Sequence, residues 1–472
     1  MTLKYLFLPI SVLCLLFPFT GNSQHVDGTI DTTFNIGQGS NGVIFSLSLQ
    51  SDGKIIVGGW FSSYDGNGRN LIVRLNEDGS LDSTFNPPQL GVSVDDFVQT
   101  TLVLPNGKIF VGGNFTRLNG LQDNGLKRLN PDGSLDTSYH GNVSGSIACI
   151  KQQADGKIIA SGLCSKYSGT TARYIFRLNS DDSIDSTFNT MTSGSNAAIT
   201  SMAIQADGKI IIGGGFSIYK WVTRYAIARL NTDASLDTTF HSGLGVNNPI
   251  LENSLYLQSN GKAVFTGHFT SYDGITVNGL ARLNSDGSLD ISFNEGGIGM
   301  NAYMPNLTVL PNDKIMIGGS QSFTTYNGIP VKHIIRLNAD GTLDTNFNPL
   351  TGQNSSVTCF LQLNNQKMIL GGNFTSYDSI PYNRICRIYS NNSVGIDEEN
   401  EESLSVFPNP ANTTLRITNS GDFATITDLT GKTLLTVPTK HKEAEINIST
   451  FANGIYFLKT NNGQTSKLII QY

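Results

Sequence analysis

The sequence predicts an all-β protein: a seven-bladed β-propeller closed by its own N-terminal strand, followed by a small C-terminal β-sandwich. Three observations lead there. Aspartates at 31, 82, 136, 185, 237, 290 and 344 sit in near-identical stretches such as "EDGSLDSTFN" (77–86), spaced 51, 54, 49, 52, 53 and 54 residues apart. A second signature, "DGKIIVGGWF" (52–61), recurs in step with the first, from "NGKIFVGGNF" (106–115) to "NQKMILGGNF" (365–374). Fifty glycines against only 14% charged residues suit turn-rich β-structure, not helices or disorder.

The first element, residues 1–23, carries Lys4, the apolar run "YLFLPISVLCLLFPF" and then "TGNSQ". This pattern reads as a secretory signal cleaved near Ser23, and the run is too short to span a membrane. The repeat region follows, residues 24–392. One unit holds four β-like runs, "VIFSLSLQ", "KIIVGGWF", "NLIVRLN" and "SLDSTFN". Turn residues separate the first two and the last two, and a Tyr/Asp/Gly loop separates the middle pair. Four short strands in about 52 residues, seven times over, are the pattern of a propeller.

The units are out of phase with the chain. A lone fourth-strand motif, "DGTIDTTFN" (27–35), precedes the first unit, and the last unit stops after three strands at "NRICRIYS". The ring is therefore expected to close by inserting the N-terminal strand at the outer edge of the seventh blade, which removes an unpaired edge.

The turn in "RLNPDGSLD" (128–136) suits a type I turn followed by a left-handed glycine. In the first unit that register sets Asn76 against Ser80, Leu75 against Leu81 and Arg74 against Asp82. An arginine stands eight residues before six of the aspartates: Arg74/Asp82, Arg128/Asp136, Arg177/Asp185, Arg229/Asp237, Arg282/Asp290 and Arg336/Asp344. Arg387 occupies the same slot with no aspartate after it, so its expected partner is Asp31. Seven copies on the outer strands of a ring point away from one another, which suits cross-strand pairing and not a convergent metal or acid site.

The unit "DGKIIVGGxF … RLNxDGSLDxTFN" resembles the delta-60 repeat of secreted bacterial β-propeller-like proteins, over roughly Asp27 to Ser390. That resemblance implies a fold and an extracellular setting without a settled activity. Beyond an acidic linker, "SVGIDEENEE" (393–402), residues 403–472 closely resemble the C-terminal sorting domain (type A) of the type IX secretion system. "FPNPAN", "DLTGK", "NGIYFLK" and the terminal "KLII" fall in that family's order. The resemblance implies export across the outer membrane of a Bacteroidota-type bacterium, with the secretion machinery as partner of residues 403–472. In that family the tail is commonly removed, and the protein is released or attached to the outer cell surface.

The formal charge of −6, with basic residues scattered singly, offers no footprint for nucleic acid or an anionic membrane. "GQGSNG" (37–42) runs into a strand where a dinucleotide site needs a helix. The six histidines show no metal-ligand spacing, so neither metal nor cofactor is expected. Cys149, Cys164, Cys359 and Cys386 read as four buried thiols, placed on opposite faces or on strands too far apart to bond.

The aromatic ladder of Phe61, Phe115, Phe216, Phe269, Phe323 and Phe374 reads as packing between blades. The loops after it place Tyr64, Asp65, Tyr272, Asp273, Tyr377 and Asp378 at the edge of an expected shallow binding surface. No catalytic residue is assigned, and the first reading is a secreted binding or adhesion module for a glycan or protein. The alternative is a glycan-active hydrolase or lyase. Arg69, Arg173 and Arg224 enter third strands away from the channel and disfavour it, while Asp95, Asp96 and Glu252, expected in inter-blade loops, favour it.

Overall fold

A computed structural model describes residues 25–390 and 405–471, other than 92, 120, 123, 189–193, 302–305, 364–365, 419–422, 430, 439–442 and 461–464. The signal segment 1–23 and the linker 393–402 lie outside the described residues. The chain separates into two compact units, residues 1–392 and 393–472.

Among the described residues the first unit contains no helix and seven antiparallel sheets of three or four strands. In the first sheet Ile55–Trp60 is central, flanked by Val43–Leu49 and Ile72–Leu75. The central strands of the others are Ile109–Asn114, Ile158–Tyr167, Ile210–Gly214, Ala263–Gly267, Ile315–Gly318 and Lys367–Gly372. Each central strand is buried along most of its length, and its near-continuous apolar sequence is what burial on both faces requires.

The expected fourth strand is shorter than its sequence suggests. Leu81 pairs with Leu75 as a single bridge, and Leu135, Ile184, Leu236, Leu289 and Leu343 pair likewise. The chain then turns, because the carboxylate of Asp82 accepts the backbone N–H of Thr84 at 2.9 Å and ends the extended run. The outer pairing partner of Ile388 is Ile30, from the opposite end of the unit.

The Tyr/Asp/Gly loop folds into its own small hairpin, Ser63–Tyr64 against Asn67–Gly68 in the first repeat, a two-stranded sheet separate from the main one. The glycine pair of the second signature has a packing reason. A Cβ on Gly58 would lie 2.5 Å from Val98 of the second sheet, and one on Gly371 would lie 2.8 Å from Ile44 of the first. A glycine at these points lets the first strand of the following sheet press onto the central strand.

The second unit is described by itself. Ser405–Phe407, Thr414–Thr418 and Glu443–Asn447 form one sheet, and Thr433–Pro438, Phe423–Thr427, Gly454–Thr460 and Thr465–Ile470 form another. Their inner residues, among them Ile417, Ile446, Ile426, Leu458 and Leu468, share one buried cluster. Among the described residues no helix is long and apolar enough to cross a membrane.

Candidate functional site

The recurring aspartate is buried in every copy, and its oxygens divide their work. One oxygen of Asp82 accepts the backbone N–H and hydroxyl of Thr84 at 2.9 and 2.6 Å. The other accepts Arg74 Nε and Lys54 Nζ, both at 2.8 Å. Across the seven copies the Arg–Asp distance is 2.5–2.9 Å and the Lys–Asp distance 2.6–2.9 Å. Arg387 Nε meets Asp31 at 2.6 Å across 356 residues of sequence.

The lysine was not read from the sequence. It is the Lys of "DGK", and its constant place at the start of the central strand, 28 residues before Asp82, was the available signal. Burial alone would raise these carboxyls. The hydrogen bonds from the hydroxyl, the lysine and the arginine outweigh it and hold Asp31, Asp82, Asp136, Asp185, Asp237 and Asp290 well below the usual carboxylate range.

Each arginine also reaches the next sheet. Arg74 Nη1 donates to Pro131 O at 2.5 Å, Arg177 to Thr232 O at 2.6 Å, Arg282 to Ala339 O at 2.6 Å and Arg387 to Glu77 O at 2.7 Å. Arg336 meets the carboxylate of Asp27 at 2.6 Å. The guanidinium lies over the aromatic ring that follows the aspartate, Arg74 over Phe85 at 4.9 Å and Arg387 over Phe34 at 4.7 Å. That ring in turn packs under the next turn. A Cβ on Gly79 would fall 2.8 Å from Phe34, and one on Gly133 would fall 2.7 Å from Phe85.

The tyrosines expected to edge a binding surface do not. Tyr64, Tyr272 and Tyr377 are at most 1% exposed. Tyr272 OH donates to Gly287 O and Tyr377 OH to Gly28 O, each at 2.6 Å, so the phenol buttresses the outer turn of its own sheet. The alternation of the two-residue hairpin turns the ring inward, where burial pushes the phenols up. The neighbouring aspartates cap backbone: Asp65 accepts Gln38 N, Asp273 accepts Leu244 N and Asp378 accepts Thr351 N, each at 2.9 Å. The three tyrosines are thus buried scaffold, while Asp65 and Asp378 are half-buried and Asp273 exposed, each with one oxygen on backbone.

The acids in the enzyme reading are dispersed as well. Asp96 is buried, accepting Ser93 N at 2.7 Å and Thr116 N at 3.2 Å. Asp95 is exposed, and Glu252 lies within the strand Ile250–Leu257, not in a loop. Among the described residues no three His, Cys, Asp or Glu side chains gather as a metal site. Among the described residues the four cysteines, Cys149, Cys164, Cys359 and Cys386, are free and buried, and burial pushes Cys164 and Cys359 up to about 12.

One open cavity of about 810 Å³ lies where the first sheet meets the second. Trp60, Phe61, Pro87 and Pro88 are among its apolar lining, and Arg69, Gln89, Asn41 and Asp96 among its polar lining. The sequence signal for it is Trp60, a departure from the repeat in the slot filled by Asn114 and Asn373 elsewhere.

Seven sheets carrying one clamp, joined in sequence to a two-sheet tail, define a repeat protein of the β-propeller class. The chain carries the domain-of-unknown-function (DUF5122) beta-propeller repeat at 50–85, 104–139, 153–188, 205–240, 258–293 and 310–347, and a secretion system C-terminal sorting domain at 405–471. The sorting domain places the protein outside the cell, secreted or held at the cell surface. No curated protein matches the chain.

Among solved structures it is similar to the extracellular domain assigned to a one component system of B. thetaiotaomicron, at 14% identity and a TM-score of 0.43, covering 94% of this chain and 57% of that one. It is similar also to PorZ, a surface component of the type IX secretion system of Porphyromonas gingivalis, at 14% identity and a TM-score of 0.40, covering 92% and 60%. The chain thus spans little more than half the length of these structures.

Proposed function

We propose that residues 24–392 form a seven-bladed ring closed by the N-terminal segment, and that this ring is a non-catalytic module binding a glycan or a protein outside the cell. Residues 1–23 serve as the export signal, 393–402 as a linker, and 403–472 engage the secretion machinery. Closure is supported by the Ile30–Ile388 bridge, by Asp31 N donating to Arg387 O at 2.8 Å, and by Thr358 Oγ1 donating to Ile44 O. The contacts of Phe347 with Gly28 and of Phe34 with Gly79 continue the ladder through the chain ends.

The observation that carries the binding reading is where the chemistry is spent. The periodic Asp, Arg and Lys side chains are consumed by one another and by backbone. The residues that break the repeat, Trp60 and Gln89 among them, meet at an open cavity. Glycoside hydrolysis by the usual route needs a converging pair of acids with free oxygens, whereas a binding face needs only shape and a few placed polar groups.

The test is a binding screen of the mature chain against immobilised glycans and surface proteins, run beside glycosidase and lyase assays. Saturable binding without turnover is the expected result. Turnover of a glycan substrate, or failure to bind either class, overturns the reading.

A further inference from the structure

We infer that the cavity between the first and second sheets is a glycan subsite, in which a pyranose ring stacks on the exposed face of Trp60 and the Arg69 guanidinium donates to its oxygens. This rests on the binding reading above and narrows it to one site and one ligand class.

Trp60 is placed there against the habit of the repeat. The slot after the second glycine holds Asn114, Leu163, Gly215, His268, Ser320 and Asn373 in the other units, so packing of the scaffold does not require a large aromatic. The indole is nonetheless 51% exposed, and it is fixed. Its Nε1 donates to Val94 O at 2.8 Å, which satisfies the ring's one donor and sets its plane. A flat apolar surface held rigid in water loses little conformational freedom on meeting a ligand.

The surroundings are fixed too. The side-chain oxygen of Asn41 accepts Ser62 N and Ser63 N at 3.0 Å each, behind the tryptophan. Asn70 donates to Gly91 O at 3.1 Å and Asp96 accepts Ser93 N at 2.7 Å, holding the opposite wall. In the same lining Gln89 is exposed, and Arg69 bonds Gly68 O at 3.2 Å through one nitrogen of a five-donor group. At about 810 Å³ the cavity is of the size that takes a small ligand.

The chemistry selects among ligands. An enclosed apolar pocket would suit a lipid or a flat aromatic, but this one is open and has donors along one side. A polyanion needs several cations, and a net charge of −6 repels it at long range. A pyranose presents C–H groups on one face and hydroxyls around its edge, which matches an indole floor with Arg69 and Gln89 at the rim.

The chain has two tryptophans, Trp60 and Trp221, so Trp221→Phe leaves Trp60 as the only tryptophan reporter. The mature Trp221→Phe protein would be titrated with a panel of neutral and uronic-acid oligosaccharides, following emission and heat. A saturable change in Trp60 emission is expected with at least one sugar. Trp60→Ala should weaken that binding tenfold or more, Arg69→Ala several-fold, and Trp60→Phe much less, with the folded state unchanged by circular dichroism.

Sugar binding that leaves Trp60 emission and Trp60→Ala affinity unchanged overturns the subsite while the binding reading stands. Silence toward every sugar, with a protein partner whose capture Trp60→Ala abolishes, overturns the ligand class. Silence toward both sugars and proteins overturns the subsite and the binding reading together.

Discussion

Asp31→Ala and Asp185→Ala remove the same atoms from the same local environment, and the ring-closure proposal predicts that they differ. Asp31 is fully buried and accepts Arg387 Nε at 2.6 Å, Lys367 Nζ at 2.9 Å and Thr33 Oγ1 at 2.7 Å. Asp185 accepts Arg177, Lys157 and Thr187 at 2.9, 2.6 and 2.6 Å. Removing either carboxylate strands two cations in a mostly buried site, a loss of about 3–5 kcal/mol. The local terms therefore nearly cancel between the two variants.

What does not cancel is chain continuity. Asp185 and Arg177 are eight residues apart on one hairpin, and the Leu178–Ile184 bridge survives the substitution. Asp31 and Arg387 are joined only through the ring, and their segment adds a few backbone bonds: Gly28 N to Tyr389 O at 2.8 Å, Tyr389 N to Thr29 O at 2.9 Å and Asp31 N to Arg387 O at 2.8 Å. A loss of about 3 kcal/mol there amounts to roughly a hundredfold in a local opening equilibrium.

Hydrogen exchange read by peptide should show that acceleration at 28–34 and 385–389 in Asp31→Ala, with a larger drop in thermal midpoint. In Asp185→Ala the acceleration should stay within 175–185. Equal thermal losses with unaltered exchange at 385–389 would refute the closure.

Four further outcomes follow from the fold. Gly79 has φ +90° and sits against Phe34, so Gly79→Ala should cost about 1–3 kcal/mol by denaturant titration. The reverse change in the fourth unit, Ala234→Gly, where φ is already 62° with a side chain present, should be nearly neutral, within about 1 kcal/mol, because relief of left-handed strain offsets the added chain entropy. The clamp carboxyls are depressed in the folded state, so their contribution is complete above the unfolded value of about 3.9 and is lost as pH falls below it. Denaturation midpoints should hold nearly level from pH 7 to about 5 and fall below about pH 4; a midpoint unchanged at pH 3 would contradict this. The buried thiols, with Cys164 and Cys359 near 12, should resist a thiol reagent at pH 8 in the native protein and all four should react in denaturant.

The architecture was legible because its determinants are local and repeated. A turn such as "NPDG" dictates its own geometry, so the register that sets Leu129 against Leu135 follows from four residues. Contacts beyond a single hairpin, within a sheet or between sheets, were not legible. Nothing in "DGK" says that Lys54 will reach across its sheet to Asp82, and nothing in "TFN" says that Phe85 will lie beneath Gly133 of the next turn. The misplaced tyrosines follow from the same gap. A Tyr/Asp/Gly loop reads as solvated by composition, but a tight hairpin within it turns Tyr272 into the body of the protein, toward a carbonyl fifteen residues on.

The clamp also explains why function must be sought off the repeat. Each arginine ties the aspartate of its own sheet to the turn of the following one, so each unit is fixed by contacts that its neighbour repeats. A substitution within the clamp disturbs two sheets at once and brings no new chemistry to the surface. A substitution in a slot the clamp does not use leaves the ladder intact and alters only what solvent meets. Trp60 is such a residue: it ends the central strand of its sheet, in a slot that carries a different residue in each of the other units except for the Asn of two, and its indole is half exposed. Specificity in a scaffold of this kind accumulates at such slots, which is why one exposed indole says more about what the protein holds than seven buried aspartates.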